Sequence, residues 1–257
     1  MYLIFDTETT GLPRNWRAPL TDSDNWPRCI QIAWQLHDSM GRVVEHQDYL
    51  LKPTGYNIPY DAEKIHGIST ELAQQEGIEL SLMMEKFQQA LSKTTFIVGQ
   101  NVTFDLNIMG AEFLRLGMEN PLPSMPLLDT CSETTAQMCQ IPGGRGGKFK
   151  LPTLTELHQF LFQQPFAQAH NATADVEATT RCFLELIRRQ IFTLEELDCP
   201  PDYFEQFSKE NPSPITLIGL KHTNLKKTSE KIKKHLEATK ASKEVSSEAV
   251  SYTHLRA

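Results

Sequence analysis

The chain has 257 residues, 40% hydrophobic and 22% charged, and its formal net charge is −7. This composition is typical of a globular protein with a substantial core, and it excludes membrane spans, because no stretch approaches the roughly 20 apolar residues that cross a bilayer. Residues 1–220 carry 16 basic and 28 acidic side chains, so this body repels nucleic acid unless metal ions or local basic groups meet the phosphates.

Short apolar runs predict four β-strands, at residues 2–5, 30–36, 49–51 and 95–98. Helical periodicity predicts four helices, at residues 81–91, 106–116, 154–162 and 173–190. Because strands come first and helices dominate later, the order favours an α/β layer structure. In it, antiparallel hairpins join a parallel strand and are covered by helices.

A glycine-rich segment, IPGGRGGKFK at residues 141–150, predicts a flexible loop between two helices. It is not a P-loop, because no GK[ST] follows at the required spacing and no strand leads into it. Its basic residues Arg145, Lys148 and Lys150 could contact a nucleic-acid backbone.

The chain changes character after residue 210. Residues 221–244 carry eight lysines against three glutamates and lack a continuous apolar stripe, which predicts a basic helical or disordered tail over residues 211–249. The last octet, VSYTHLRA at residues 250–257, is similar to a translated sequencing adapter, and we expect it to be foreign to the domain.

The start of the chain and its cysteines predict a cytoplasmic protein. The N-terminal MYLIFDTETTG has no basic region and places acids at positions 6 and 8, unlike a secretory signal. Five cysteines show neither CxxC spacing nor neighbouring histidines, which favours reduced thiols and does not indicate zinc.

Two acids at the end of the first predicted strand are the first candidate site residues. Asp6 and Glu8 are two residues apart, so the pleat directs both side chains to one face. Neighbouring carboxylates repel each other unless a cation lies between them, and such hard ligands suit Mg²⁺ or Mn²⁺. A solvated pair in a turn is an equally good interpretation of these two residues alone.

Two later segments place an acid near the start of a predicted helix. In GQNVTFD, at residues 99–105, Asp105 lies where the helix dipole by itself favours an acid. In HNATAD, at residues 170–175, His170 precedes Asp175 by five residues. Taken singly, these residues are more often structural than functional.

Together, DTETTGL, NxxFD and HxAxxD resemble the three motifs of the DEDDh family, the DnaQ-like proofreading exonucleases. Their order and approximate spacing also match, over about residues 1–190. The resemblance implies a ribonuclease H-like mixed sheet flanked by helices. It also implies 3′–5′ exonuclease activity that releases 5′-mononucleotides from DNA.

By the same resemblance, four carboxylates bind two Mg²⁺ or Mn²⁺ ions and a histidine is the general base. The carboxylates are Asp6, Glu8, Asp105 and Asp175, and the base is His170. Two such cations supply a nucleophile at neutral pH and neutralise the leaving oxygen, and an imidazole accepts a proton near working pH. The cations also bring positive charge to an acidic protein that must meet a phosphate.

Residues directly after the first motif are candidates for contacts with the terminal nucleotide. Thr9, Thr10 and Gly11 could offer backbone donors and close approach, and Leu12 could wedge against the terminal base. A simple glycine-containing turn explains these residues almost as well.

Two further segments supply the remaining substrate candidates. DAEKIHGIS resembles the family's IHGI element, which implies contacts from Asp61 and His66. In the second motif Asn101 and Phe104 match, whereas Gln100 stands where many relatives have histidine.

Three longer runs are similar to the exonuclease domain at the N-terminus of some bacterial DNA polymerase III alpha subunits. They are LTDSDNWPRCIQIAWQL, PGGRGGKFKLPTL and AHNATADVEATTRCFLELIRR. This similarity implies an exonuclease domain over residues 1–210 and a linker over 211–249 toward polymerase regions. It also implies replicative proofreading on a DNA 3′ end, with polymerase partners in cis or in trans.

Two other nucleic-acid functions remain open on the sequence, and a purely structural linker-bearing domain has no positive feature beyond the basic tail. An RNA-trimming exonuclease of the same superfamily would share all five catalytic residues and differ in its treatment of the 2′-hydroxyl. A non-catalytic module that binds nucleic-acid ends or polymerase partners is disfavoured by the intact acids and histidine.

Overall fold

The computed structural model describes residues 1–164 and 171–215. Within these residues five strands form one mixed sheet in the order β3-β2-β1-β4-β5. They are β1 (Tyr2–Thr9), β2 (Cys29–His37), β3 (Val43–Leu50), β4 (Phe96–Gly99) and β5 (Leu127–Asp129). The first three strands are antiparallel, whereas β4 runs parallel to β1 and β5 runs parallel to β4.

Helices cover both faces of the sheet. The described residues contain α1 (Tyr60–His66), α2 (Thr70–Glu76), α3 (Leu80–Leu91), α4 (Thr103–Arg115), α5 (Glu133–Cys139), α6 (Leu154–Phe162), α7 (Ala172–Arg188) and α8 (Tyr203–Glu210). The predicted mixed sheet flanked by helices is confirmed, and α3, α4, α6 and α7 match the four predicted helices.

The sequence pattern missed α1, α2, α5, α8 and β5, and it made β1 and β3 too short. The four missed helices have only seven or eight residues, so they span about two turns and give little periodicity. Local capping marks two of them instead, because the side chains of Ser69 and Ser132 accept hydrogen bonds from the first turns of α2 and α5.

The alternation of β1 assigns its side chains to two cores. Tyr2 and Ile4 pack with residues of α6, α7 and α8, whereas Leu3 and Phe5 pack with residues of α3 and α4. Continued along the strand, the period of two directs residues 6 and 8 toward the α7 side and residue 7 toward the α4 side.

A buried carboxylate joins α4 to the start of β2. Glu112 Oε1 accepts hydrogen bonds from Arg28 Nε at 2.9 Å and from the Cys29 amide at 3.0 Å. Arg115 Nη1 lies 3.1 Å from the same oxygen. Because the Glu112 side chain is fully buried, these contacts are what compensate its charge.

The glycine-rich segment lies between α5 and α6, as predicted, and includes one short 3-10 turn at Arg145–Gly147. Two of its three basic side chains are already paired. Lys148 Nζ lies 2.6 Å from Glu133 Oε1, and Lys150 Nζ lies 2.7 Å from Glu156 Oε1. Contacts from this segment to a nucleic-acid backbone remain a prediction.

The described chain continues a few residues past α8 and contacts the body. Ile215 is buried, and its carbonyl accepts a hydrogen bond of 2.8 Å from Arg181 Nε. Most of the predicted tail and the final octet lie outside the described residues, so the divisions at residues 210 and 249 remain predictions. In the part of the chain that is described, no helix is both long and apolar enough to cross a membrane.

Candidate metal centre

Three carboxylates from two elements meet on the α7 side of the sheet. Asp6 and Glu8 come from β1, and Asp175 comes from the first turn of α7. One carboxylate oxygen of each lies within 4.8 Å of the other two. The shared face predicted for Asp6 and Glu8 therefore also holds an acid that is almost 170 residues away in the chain.

Asp105 reaches the same strand from α4, at the edge of β1 beside Thr7. Its Oδ1 accepts a hydrogen bond of 3.0 Å from the Thr7 amide and one of 2.6 Å from Thr7 Oγ1. The pairing of β1 with β4 runs only from Tyr2 to Ile4, so this edge of β1 at Thr7 lies beyond the ladder. Asp105 satisfies an amide that would otherwise lack a sheet partner.

The two helix acids occupy comparable positions. Asp105 and Asp175 each lie in the first turn of their helix, where the helix dipole stabilises a negative charge. The side chain of Asn171 caps α7 by accepting a hydrogen bond of 3.3 Å from the Ala174 amide, which fixes where that helix begins.

The acids shift one another's proton affinity. Burial raises the pKa of Asp6 well above its usual value, and Asp105, Asp175 and Glu8 raise it further by repulsion. Burial, with repulsion from Asp175 and Asp105, raises the pKa of Glu8 to about 8. Burial also raises the pKa of Asp105 to about 7, although the hydrogen bonds from Thr7 oppose that shift. Ionising these acids together is therefore unfavourable unless a positive charge offsets their repulsion.

The donor set fits a hard divalent cation. Carboxylate oxygens are the ligands that Mg²⁺ and Mn²⁺ prefer, and three of them converge within 4.8 Å. Burial and mutual repulsion raise the pKa values of Asp6 and Glu8, and a bound cation would oppose both effects by stabilising the charged carboxylates.

In chelator, the free energy of unfolding is expected to fall as pH rises from about 5 to about 8. A folded-state pKa above the unfolded value means that the folded protein holds the proton more tightly. Folding is therefore favoured at low pH, and this advantage disappears as pH passes the raised values of about 7 for Asp105 and about 8 for Glu8. Urea unfolding at several pH values measures the slope.

The matched variants for this measurement are Asp6→Asn and Asp24→Asn. Asp6→Asn removes one charge from the cluster and should flatten the pH dependence, whereas Asp24→Asn removes an exposed carboxylate and should reproduce the wild-type slope. Equal slopes for wild type and Asp6→Asn would contradict the electrostatic account.

The turn after β1 contains residues that the sequence predicts to contact substrate, and several of their polar groups bond to the protein itself. The Thr10 amide donates to the Arg28 carbonyl at 3.0 Å, and the Gly11 amide lies 3.4 Å from Thr9 Oγ1. Thr9 Oγ1 donates to the Gly11 carbonyl at 2.7 Å. The Thr10 amide is thus bonded to the residue before β2 and the Gly11 amide to Thr9, and contacts of Thr9, Thr10 and Gly11 with the terminal nucleotide remain predictions.

Gly11 and Leu12 remain open to a ligand. Gly11 has a φ of +143°, which other residues rarely adopt, and a Cβ there would meet nothing within 4 Å. The Leu12 side chain is 72% exposed. This exposure would allow Leu12 to wedge against a terminal base, and that contact remains a prediction.

The residues of the IHGI element belong to α1. His66, at its last position, is buried, and its Nδ1 accepts a hydrogen bond of 3.0 Å from the Ile68 amide. Asp61 is exposed in the first turn of α1. Their contacts with a terminal nucleotide remain predictions.

The second motif is stabilised by an acid that the sequence motifs do not include. Asp129, at the end of β5, accepts hydrogen bonds from the amides of Asn101 at 2.8 Å and Val102 at 3.1 Å. Asn101 has a left-handed φ of 59°, and the two bonds hold the turn into α4. The sequence feature that could have indicated Asp129 is the segment PLLDT, in which an acid follows a short apolar run.

Gln100 and Phe104 flank this turn. Gln100 Nε2 donates to the Pro152 carbonyl at 2.7 Å, so it binds the segment before α6. Phe104, half-buried beside Asp105, packs its ring against Trp16 with 5.7 Å between the ring centroids. His170 lies outside the described residues, and its role as general base remains a prediction.

The amino-acid sequence of the chain matches a family of nucleases. The model of the RNase T family, described as "Exonuclease", matches residues 3–183. The DNA polymerase III PolC-type of Lactococcus lactis is 28% identical over 232 residues, which are 88% of this chain and 13% of that protein. The chain therefore spans about an eighth of that relative's length.

A second relative and a solved structure differ in how much of their length is matched. The DNA polymerase III subunit epsilon of Rickettsia typhi is 24% identical over 238 residues, which are 91% of this chain and 93% of that protein. The zinc-bound crystal structure of the E. coli ExoI–ssDNA complex aligns with a TM-score of 0.59 and 24% identity, over 77% of this chain and 42% of that chain. This structural likeness supports the fold.

Proposed function

The chain belongs to the exonuclease family whose model matches residues 3–183, and from this premise we propose that it is a divalent-cation-dependent 3′–5′ exodeoxyribonuclease that releases 5′-mononucleotides. The observation that carries the proposal is the convergence of Asp6, Glu8 and Asp175 within 4.8 Å, with Asp105 bound to the intervening Thr7. The family resemblance and the ribonuclease H-like fold expected from the sequence are confirmed.

In this proposal Asp6, Glu8, Asp105 and Asp175 hold two Mg²⁺ or Mn²⁺ ions. When bound, the cations would neutralise charge on the scissile phosphate and activate water at neutral pH. The chain's own contributions are positional: Thr7 orients Asp105, and the capped start of α7 fixes Asp175. His170 accepts a proton from the attacking water, a role that rests on the motif alone.

DNA is the proposed substrate, with a single-stranded or frayed 3′ end. The two relatives described above are DNA polymerase III proteins, and the solved structure described with them is a complex with ssDNA. One relative is much longer than this chain and the other is about the same length, so polymerase regions are proposed as partners in cis or in trans. Replicative proofreading in the cytoplasm is the corresponding biological role.

A direct test uses the purified chain with end-labelled single strands of DNA and of RNA of the same sequence. With Mg²⁺ or Mn²⁺, a 5′-labelled DNA strand should shorten progressively, and a 3′-labelled strand should release a labelled 5′-mononucleotide at once. Excess chelator should abolish both reactions, because the proposed chemistry depends on the cations that the four acids would hold.

Each alternative gives a different result in this assay. Faster shortening of the RNA strand would support an RNA-trimming enzyme, and binding of ends without cleavage would support a non-catalytic module. Cleavage that survives the chelator, or shortening from the 5′ end, would contradict the proposal.

A further inference from the structure

The loop between β1 and β2 presents an exposed tryptophan close to the acid cluster. The Trp16 side chain is 55% exposed, whereas Trp26 and Trp34 are only 3% and 1% exposed. Its ring lies 5.7 Å from that of Phe104, centroid to centroid, and Phe104 directly precedes Asp105. Single exposed apolar side chains are common on proteins, so the case for a ligand at Trp16 rests on the contacts and charges around the ring.

The loop is held in place on both sides of Trp16. The Asn15 amide donates to Asn25 Oδ1 at 2.8 Å, and Asn25 Nδ2 donates to the Asn15 carbonyl at 3.0 Å. Further along, Trp26 Nε1 donates to the Pro19 carbonyl at 3.1 Å. These contacts set the backbone that carries the Trp16 ring before any ligand arrives, which lowers the ordering cost of binding.

The charges around the ring suit a phosphate chain. Between Glu8 and Asp22 the sequence contains no acid, and Arg14 and Arg17 flank Trp16. Both arginines are exposed, and in residues 1–164 and 171–215 neither is joined to a carboxylate by an ion pair. This local positive charge stands out on a body whose net charge is −12. Aromatic rings interleaved with basic residues are how proteins bind single strands.

We propose that Trp16, together with Phe104, forms a stacking surface for an unpaired base of the substrate strand beside the scissile phosphate. The inference rests on the proposed function and adds to it a determinant of strand specificity. A base within a duplex already has both faces covered by its neighbours, so a stacking surface at this place favours an unpaired end. Arg14 and Arg17 would meet the adjoining phosphates.

Intrinsic fluorescence tests the contact independently of cleavage, because Trp16 is the exposed one of the three tryptophans. The full chain is titrated with dT12 in Ca²⁺, under conditions where the strand stays intact. We expect dT12 to quench the wild-type emission, and we expect Trp16→Phe to lose that quenching. Trp16→Ala should weaken binding by about 5- to 150-fold, the range for loss of one base–aromatic stack.

The matched control is Val44→Ala, which removes an equally exposed apolar side chain from β3. Val44 lies away from the acids, at the end of the sheet where β1 begins. There Val43 pairs with His37, and His37 pairs with Tyr2. This variant should bind and cleave like wild type. A dT12 strand with abasic sites at its two 3′-terminal positions should bind wild type as weakly as intact dT12 binds Trp16→Ala. For Trp16→Ala itself, the abasic strand should bind only a little more weakly than intact dT12.

Cleavage of this abasic strand separates stacking from chemistry, because its two 3′-terminal positions present no aromatic ring. Trp16→Ala should hydrolyse it at the wild-type rate while its KM for dT12 rises. If wild type cleaves DNA but Trp16→Ala binds dT12 equally well, the stacking proposal is wrong and the proposed function stands. Slower cleavage of the abasic strand by Trp16→Ala than by wild type, or a change in oligomeric state of Trp16→Ala, would also overturn it. A wild-type chain that neither binds nor cleaves DNA would instead overturn the proposed function.

Discussion

Replacing Asp6 or Asp175 with alanine is expected to reduce turnover by about 10³-fold or more while the protein stays folded. Both residues contribute to the group of carboxylate oxygens within 4.8 Å, and loss of either removes a ligand that the proposed cations share. Steady-state cleavage of a labelled single strand measures the effect. Asp24→Ala, which removes an exposed acid, is the matched control and should retain the wild-type rate.

The same variants should show no loss of stability in chelator. Asp6 is repelled by Asp105, Asp175 and Glu8, so its removal relieves a strain that the metal-free protein bears. Melting temperatures equal to or above that of wild type are expected. An alanine variant that unfolds would show that the acid supports the fold, and one that keeps the full rate would exclude it from the site.

Glu112→Ala is expected to have the largest effect on stability, a loss of about 3–5 kcal/mol in the free energy of unfolding. The substitution removes the acceptor of Arg28 Nε and the Cys29 amide and leaves Arg28 and Arg115 without their buried counter-charge. Urea unfolding measures the loss. Because Glu112 follows Asp105 by seven residues on α4, the change also loosens the helix that positions this acid.

Glu112→Gln is the informative companion variant. Its side-chain oxygen can still accept from Arg28 and from the Cys29 amide, so it should lose clearly less stability than the alanine variant. A loss below about 1 kcal/mol for Glu112→Ala would mean that the buried carboxylate contributes no more than an exposed ion pair does.

Much of the candidate site follows from local sequence rules. The period of two along β1 put Asp6 and Glu8 on one face, and the helix starts at Asp105 and Asp175 were readable from the motifs. These features depend on residues that are close in sequence, where strand pleating and helix capping act directly.

The contacts that complete the site depend on residues far apart in the chain. Thr7 and Asp105 are 98 residues apart, and they can bond because the β1–β4 ladder stops at Ile4. The sequence around Thr7 contains no pattern that indicates where this ladder ends. Asp129 supports the turn at Asn101 from a strand of three residues, which is too short to show an alternation.

The loop that carries Trp16 shows the same limit. Its sequence, PRNWRAPLTDSDNWP, reads as an irregular connection, and it is one in the structure. The approach of Trp16 to Phe104 and the paired hydrogen bonds between Asn15 and Asn25 arise only when β1, β2 and α4 are assembled.

The most direct test of the account is a calorimetric titration of the metal-free chain with Mn²⁺ in the presence of a nucleoside 5′-monophosphate. The account predicts two bound Mn²⁺ ions for wild type and for Asp24→Ala, and a loss of binding for Asp6→Ala and Asp175→Ala. If wild type bound no Mn²⁺, or if Asp6→Ala bound it as tightly as wild type, the four acids would not form the proposed metal centre.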